Sequence, residues 1–184
     1  MNFLKARKLF ITGAAGSGAT TLGRHLAAAI GAVHVDSDDY YWVKTDPPFQ
    51  IKNPPKLRVE LISEALGAKS WVLSGSLDGW GDRLIISADL IVYQFVPHEL
   101  RMARLHKREA GLFGDRILPG GDMHNTHVEF MAWAAKYDDP NFSGRSRYRH
   151  ERWLDQLGKP VLKLDGLNAI SELCDTVLNF QIIQ

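Results

Sequence analysis

The stretch Gly13-Ala14-Ala15-Gly16-Ser17-Gly18-Ala19-Thr20-Thr21 constrains this chain's fold more than any other feature. A short apolar run, Lys8 to Thr12, precedes it and reads as a buried strand. After it, Leu22, Leu26, Ala29 and Ile30 recur at helical spacing until Gly31 stops the pattern. Strand, glycine-rich turn and helix in that order make a tight bend that aims several backbone N–H groups at one point. The following helix adds the positive end of its dipole. The result is an anion cup that needs no charged side chain.

The spacing is that of the phosphate-binding loop Gly-x-x-x-x-Gly-Lys-[Ser/Thr], with one departure. Ala19 stands where the lysine belongs, and Thr20 holds the position whose hydroxyl meets Mg²⁺. A lost charge-assisted hydrogen bond costs about 1.5–3 kcal/mol. A lost transition-state donor costs about 10²–10³ in rate. Backbone amides alone therefore suffice to bind a nucleotide, whereas catalysis needs a cation from elsewhere.

Further strands are expected at Ala32 to Val35, Trp71 to Leu73, Leu90 to Val96 and Val161 to Leu164. Between them lie helical patterns. One is marked by Leu57, Leu61 and Ala65, one opens at Pro97 and runs to about Ala110, and one is marked by Ile170, Leu173, Val177 and Leu178. Strands alternating with helices imply a parallel sheet covered on both faces, with ligands beyond the carboxyl ends of its strands. The chain has 184 residues, which fits one α/β domain. Residues 42 to 56, with Pro47-Pro48 and Pro54-Pro55, and the glycine-bearing residues 111 to 125 break the alternation and read as functional loops or lid material.

The net charge of +1 gives no global field for nucleic acid or membrane, and the single cysteine, Cys174, fits a reducing, cytoplasmic compartment. Arg145, Arg147, Arg149 and Arg152 interleave with Tyr148 and Trp153 in the manner of an RNA patch, but the overall balance argues against nucleic acid. Nothing in the sequence speaks to oligomeric state. His124 and His127, three apart and near Asp122, lack a further ligand at metal spacing and read as ordinary histidines.

Acidic residues end the second strand. Alternation sets Asp36 and Asp38 on one side of the extended chain, where they either serve Mg²⁺ or hold and deprotonate an acceptor hydroxyl. The other reading is a solvated acidic turn that caps the next helix. Tyr40, Tyr41 and Trp42 follow, as a wall for an acceptor ring or as packing under the proline-rich loop. Arg101, Arg104 and Arg108 share one helical face.

The loop Gly13 to Thr21, the segment Asp36-Ser37-Asp38-Asp39 and the downstream arginines resemble the family of adenylate kinase, shikimate kinase and related small P-loop kinases. The chain also looks like the adenylate-kinase-like bacterial proteins, some labelled topology modulation proteins. The resemblance implies a three-layer P-loop NTPase fold with a five-stranded parallel sheet and a small, mobile helical lid. It implies an acceptor-binding insertion at about 40–70 and a lid at about 111–150. It further implies ATP (or another NTP) and Mg²⁺ as cofactors and phosphoryl transfer to a nucleoside monophosphate or a hydroxyl metabolite. The alternative is a nucleotide-binding regulatory module without kinase activity.

On that basis Gly13, Ala14, Ala15, Gly16, Ser17, Gly18, Ala19, Thr20 and Thr21 are the nucleotide-binding set. Thr20 and Asp36 are the metal-side residues. Asp38, Tyr41 and Arg83 are expected at the acceptor, with Arg83 matching the family's arginine only if the loop after the third strand is longer. Arg108, Arg116, Arg145 and Arg149, with Asp38, are expected to do the catalytic work, the arginines supplying the charge that Ala19 withholds.

Overall fold

The computed structural model describes residues 3–4 and 7–183. Phe3–Leu4 (β1) pairs antiparallel with Ile182–Ile183 (β7) in a two-stranded ribbon. The main sheet holds Lys8–Gly13 (β2), Val33–Asp36 (β3), Trp71–Ser74 (β4), Leu90–Phe95 (β5) and Val161–Asp165 (β6). Its order is β3-β4-β2-β5-β6, and every pairing is parallel. This is the α/β sheet expected from the alternation, and β2 lies at its centre.

The alternating side chains of β2 divide the core. Leu9 and Ile11 pack on one face with Leu22 and Leu26 of Ala19–Ile30 (α1) and with Leu173 and Val177 of Ile170–Leu178 (α8). Phe10 packs on the other face with Ile62 and Leu66 of Pro55–Leu66 (α3) and with Trp153 and Leu154 of Arg147–Gln156 (α7). Both faces of β2 are thus buried, which explains its unbroken apolar run. Among the described residues no helix is long and apolar enough to cross a membrane.

The phase of α3 differs from the expectation built on Leu57, Leu61 and Ala65. Arg58, Ile62 and Leu66 face inward, one residue later, and Leu57 is exposed. Pro55 opens the helix, and the inward-facing Arg58 is satisfied by donating from Nε to the Asn53 carbonyl at 2.6 Å. The helix after Pro97, His98–Phe113 (α5), runs three residues past Ala110. A 3₁₀ turn, Gly114–Ile117 (η1), leads on to His124–Ala135 (α6), a second 3₁₀ turn, Lys136–Asp138 (η2), and α7. The glycine-bearing stretch is therefore partly helical.

The shifted phase is testable by urea denaturation. Ile62→Ala should lower stability by about 2–5 kcal/mol, whereas Leu57→Ala should change it by no more than about 0.5 kcal/mol.

Candidate active site

The carboxyl ends of β2, β3 and β4 meet at the glycine loop. Gly16 has φ 79°, a backbone conformation that side-chain-bearing residues rarely adopt, and a Cβ there would lie 2.7 Å from the Arg101 carbonyl oxygen. At Gly13 a Cβ would lie 2.5 Å from Ser17 Oγ and 2.6 Å from the Gln94 carbonyl. The amide of Ser17 donates to Ala14 O at 3.0 Å and closes the turn. Among the described residues, the amides of Gly16, Gly18, Ala19, Thr20 and Thr21 have no main-chain acceptor in the loop. The loop is open, and α1 begins at Ala19 with no side-chain cap.

Thr20 Oγ1 donates to Asp36 Oδ2 at 2.7 Å, which joins the two residues expected on the metal side. The other carboxylate oxygen of Asp36 accepts from the Asp38 amide at 3.0 Å, the short-range bond of an acidic turn. Asp38 opens the short helix Asp38–Tyr41 (α2) and keeps a solvent-facing side chain. The surrounding protein and then the Asp36 charge raise its pKa, opposed by Arg145 and Arg108. Both cations therefore act on this carboxylate across the cleft.

Arg145 is the most telling of the expected arginines. Among the described residues its Nη2 reaches only Gly13 O, at 3.5 Å, and its buried Nε has no partner. The Trp133 ring lies 5.2 Å from its guanidinium carbon. Burial lowers its pKa, opposed in turn by Tyr137, Asp38 and Asp78. Ser17 Oγ in the same loop is also buried without a partner among the described residues, and as a hydroxyl it can donate to an anion.

The other arginines have different surroundings. Arg149 Nε pairs with Asp78 Oδ2 at 2.7 Å, so Asp78, a residue that follows β4, belongs to the site. Arg108 pairs with Glu109 at 3.0 Å and stays half-exposed. Arg116 is held by Asp122 and by Asp46, at 2.7 and 2.6 Å, and both bonds raise its pKa. It thereby clasps the proline-rich loop to the turn before α6, and its contacts are not with the glycine loop. Arg83 is exposed on Asp82–Ile85 (α4), with no bonded partner among the described residues. His124 bonds the Ile117 carbonyl at 2.9 Å, in keeping with an ordinary histidine.

Tyr41 packs edge-on against Trp42 and Trp80, at 5.1 and 5.9 Å, and carries the Arg58 guanidinium 3.7 Å above its ring. Arg58 was not legible as a site residue, because a helical arginine at a proline-led turn reads as solvated. Arg101 and Arg104 went unassigned for the same reason. Arg101 is fully buried and donates to Ala15 O at 3.4 Å and to Asp138 Oδ2 at 2.5 Å. Arg104 donates to the carbonyls of Ser17 and Gly166, both at 3.3 Å.

A buried polar chain lies beneath the loop. Thr12 Oγ1 is 3.0 Å from His150 Nε2, Tyr137 Oη is 2.9 Å from His150 Nδ1, and Tyr93 Oη is 2.9 Å from Tyr137 Oη. A neutral imidazole donates from one nitrogen and accepts at the other, which satisfies both neighbours. Burial first, then the Arg145 charge, lowers the His150 pKa to about 3.

The central β2, the open glycine loop and the parallel order define a three-layer P-loop NTPase fold. Deoxyadenosine kinase from M. mycoides with bound dATP aligns at TM-score 0.56 and 13% identity, over 94% of this chain and 97% of that one. A gluconokinase from Sinorhizobium meliloti 1021 aligns at 0.53 and 18%, over 93% and 89%. Shikimate kinase from Acinetobacter baumannii in complex with shikimate aligns at 0.52 and 19%, over 94% and 90%. At these identities the likeness is one of fold. No protein-family model matches the chain. The chain belongs to the family of Uncharacterized protein YqaC of Bacillus subtilis (strain 168), with which it is 35% identical over 174 residues, 95% of this chain and 97% of that protein.

The buried histidine sets a pH dependence. The unfolded chain takes up a proton near pH 6.5, whereas folded His150 resists protonation down to about 3. Its contribution to stability is complete above pH 6.5 and is lost progressively as pH falls towards 3, by up to about 1.4 kcal/mol per pH unit. Urea unfolding across that window should show a shallower loss of stability in His150→Gln than in the wild type.

Proposed function

We propose that this protein transfers the terminal phosphoryl group of ATP, or another nucleoside triphosphate, to the hydroxyl of a small acceptor, with Arg145 in the role of the missing loop lysine. One observation carries the reading: the Arg145 guanidinium lies against the glycine loop with its Nε buried, and among the described residues no carboxylate pairs with it and no acceptor meets that Nε. An isolated buried charge is costly unless it meets a counter-charge. Phosphate oxygens are that counter-charge, and a planar guanidinium suits them.

The residues fit the nucleotide and its metal. The loop amides and Ser17 face phosphate, and the Thr20 hydroxyl with the Asp36 carboxylate is an oxygen pair suited to Mg²⁺ bound largely through phosphates and water. When bound, Mg²⁺ supplies charge neutralisation at the phosphate oxygens. Arg145 and Arg108 add positive charge that acts on Asp38, and Arg149 is held by Asp78.

Asp38 receives the acceptor's hydroxyl proton as the oxygen attacks the terminal phosphorus and the nucleoside diphosphate leaves. Its raised pKa suits proton acceptance. Asp36 and Asp38 border the acceptor side and repel a phosphate dianion, which favours a hydroxyl metabolite over a nucleoside monophosphate. Tyr41, with Trp42 and Trp80, supplies an aromatic wall for that acceptor, and Arg83 lies outside this first ring of contacts. Arg116 acts as the clasp between the proline-rich loop and the lid.

A second reading rests on Ala19: a nucleotide-binding regulator with no chemistry. The two readings separate in an assay for nucleoside diphosphate release with a panel of hydroxyl and monophosphate acceptors. Activity with a hydroxyl acceptor, lowered about 10²–10³-fold in Arg145→Ala, is the expected outcome. Thr20→Val should abolish turnover while calorimetry still registers nucleotide. Nucleotide binding with no turnover on any acceptor, and turnover gained in Ala19→Lys, would favour the regulator. No nucleotide binding in either form rules out both readings.

A further inference from the structure

We infer that the segment from Tyr137 to His150 is a closed clamp that fixes Arg145 against the phosphate loop before any ligand arrives, with Tyr137, Asp138 and His150 as its positioning residues. This rests on the reading of the loop as a phosphate site. It adds how the compensating cation is held.

The clamp is closed at both ends. Tyr137 and His150 lie 13 positions apart in the chain, yet their side chains meet at 2.9 Å. Everything between them, Arg145 included, is a loop tied at its neck. That neck is attached to the phosphate loop on two sides. On one side His150 bonds Thr12, the residue before Gly13. On the other, Asp138 takes the buried Arg101, whose Nη1 donates to Ala15 O inside the loop. Arg101 is itself fixed by the Val96 carbonyl at 3.1 Å.

Inside the clamp the chain has little freedom. Asp138 also pairs with Arg147, whose guanidinium lies 4.5 Å from the Phe95 ring centre. Ser146 accepts from the Arg149 amide at 3.3 Å and starts α7 one residue after Arg145. Arg149 is tied to Asp78. Residues on both sides of Arg145 are thus bonded to the sheet or to the loop it serves.

Two consequences follow. A fixed donor loses little side-chain entropy on binding an anion, so its contacts appear in affinity undiminished. A donor delivered by lid closure must also include the closing equilibrium in its apparent affinity. Tyr137, Asp138 and His150 touch no nucleotide. They act through Arg145 and the loop backbone, and removing one of their bonds releases the guanidinium to solvent.

The test is calorimetric titration of inorganic tripolyphosphate into wild type, Tyr137→Phe, Asp138→Asn, Arg145→Ala and the two double variants, with thermal melts alongside. Arg145→Ala should weaken binding about tenfold or more. Tyr137→Phe and Asp138→Asn should each weaken it by about threefold to tenfold. In the Arg145→Ala background the same two substitutions should cost less than about twofold in affinity while still lowering the melting temperature, a separation that a merely structural role does not give.

Equal affinity losses with and without the Arg145 side chain would overturn the clamp, and so would wild-type affinity in both single variants. If Asp138→Asn fails to fold, Tyr137→Phe, which deletes one hydroxyl, decides alone. Absence of tripolyphosphate binding by the wild type would remove the phosphate-loop reading and the clamp together, whereas binding with no coupling removes only the clamp.

Discussion

The Arg145 guanidinium against Gly13, its Nε buried and its charge without a bonded carboxylate among the described residues, is the interaction on which the rest of the site depends. Withdrawing Arg145 from water costs free energy, and burial lowers its pKa in consequence. Among the described residues no carboxylate bonds it directly. Asp38 and Asp78 act on it only through space, and its near contacts are a backbone carbonyl and the Trp133 ring. A fold keeps such a group only when the surrounding structure holds it firmly, and here that structure is the segment tied to Thr12 and Ala15.

The arrangement places positive charge differently from a lysine-bearing loop. A lysine at position 19 would rise from the first turn of α1 and reach the phosphates from below. In this chain the helix start offers amides and a threonine hydroxyl, and the charge enters from residue 145 on the segment that precedes α7. The acids divide accordingly. Asp36 joins Thr20, Asp78 holds Arg149, Asp138 neutralises Arg101 and Arg147, and Asp38 remains without a bonded cation. A carboxylate with a raised pKa at the cleft is suited to exchange a proton, and the paired acids are suited to orient arginines.

The proline-rich loop also meets the segment around Phe113 and Asp122. Arg116 bridges Asp46 and Asp122, and Phe49 packs edge-on to Phe113 at 6.1 Å, with Trp42 on its other side at 5.7 Å. These contacts are exposed and weakly stabilising compared with the buried bonds of the clamp. The two sets of contacts therefore differ in firmness: the segment carrying Arg145 is bonded to buried groups of the core, and the proline-rich loop is held by surface contacts.

The parallel α/β sheet, the loop Gly13 to Thr21 and the Thr20–Asp36 relation could be read from the residues alone, because each depends on local sequence: apolar runs, glycine spacing and strand alternation. The position of each arginine could not. Arg101, Arg104 and Arg108 share a helix face in the sequence, yet one is buried at the phosphate loop, one bonds two carbonyls and one pairs with its neighbour. The helix marked by Leu57, Leu61 and Ala65 is present as α3, but its buried face, Arg58, Ile62 and Leu66, was set by how it packs on the sheet. Guanidinium groups sit at the ends of long, flexible side chains, and their partners come from segments distant in the chain. Local pattern determined where the open glycine loop lies, and only the tertiary approach of residues 137–150 to that loop decided which cation rests against it.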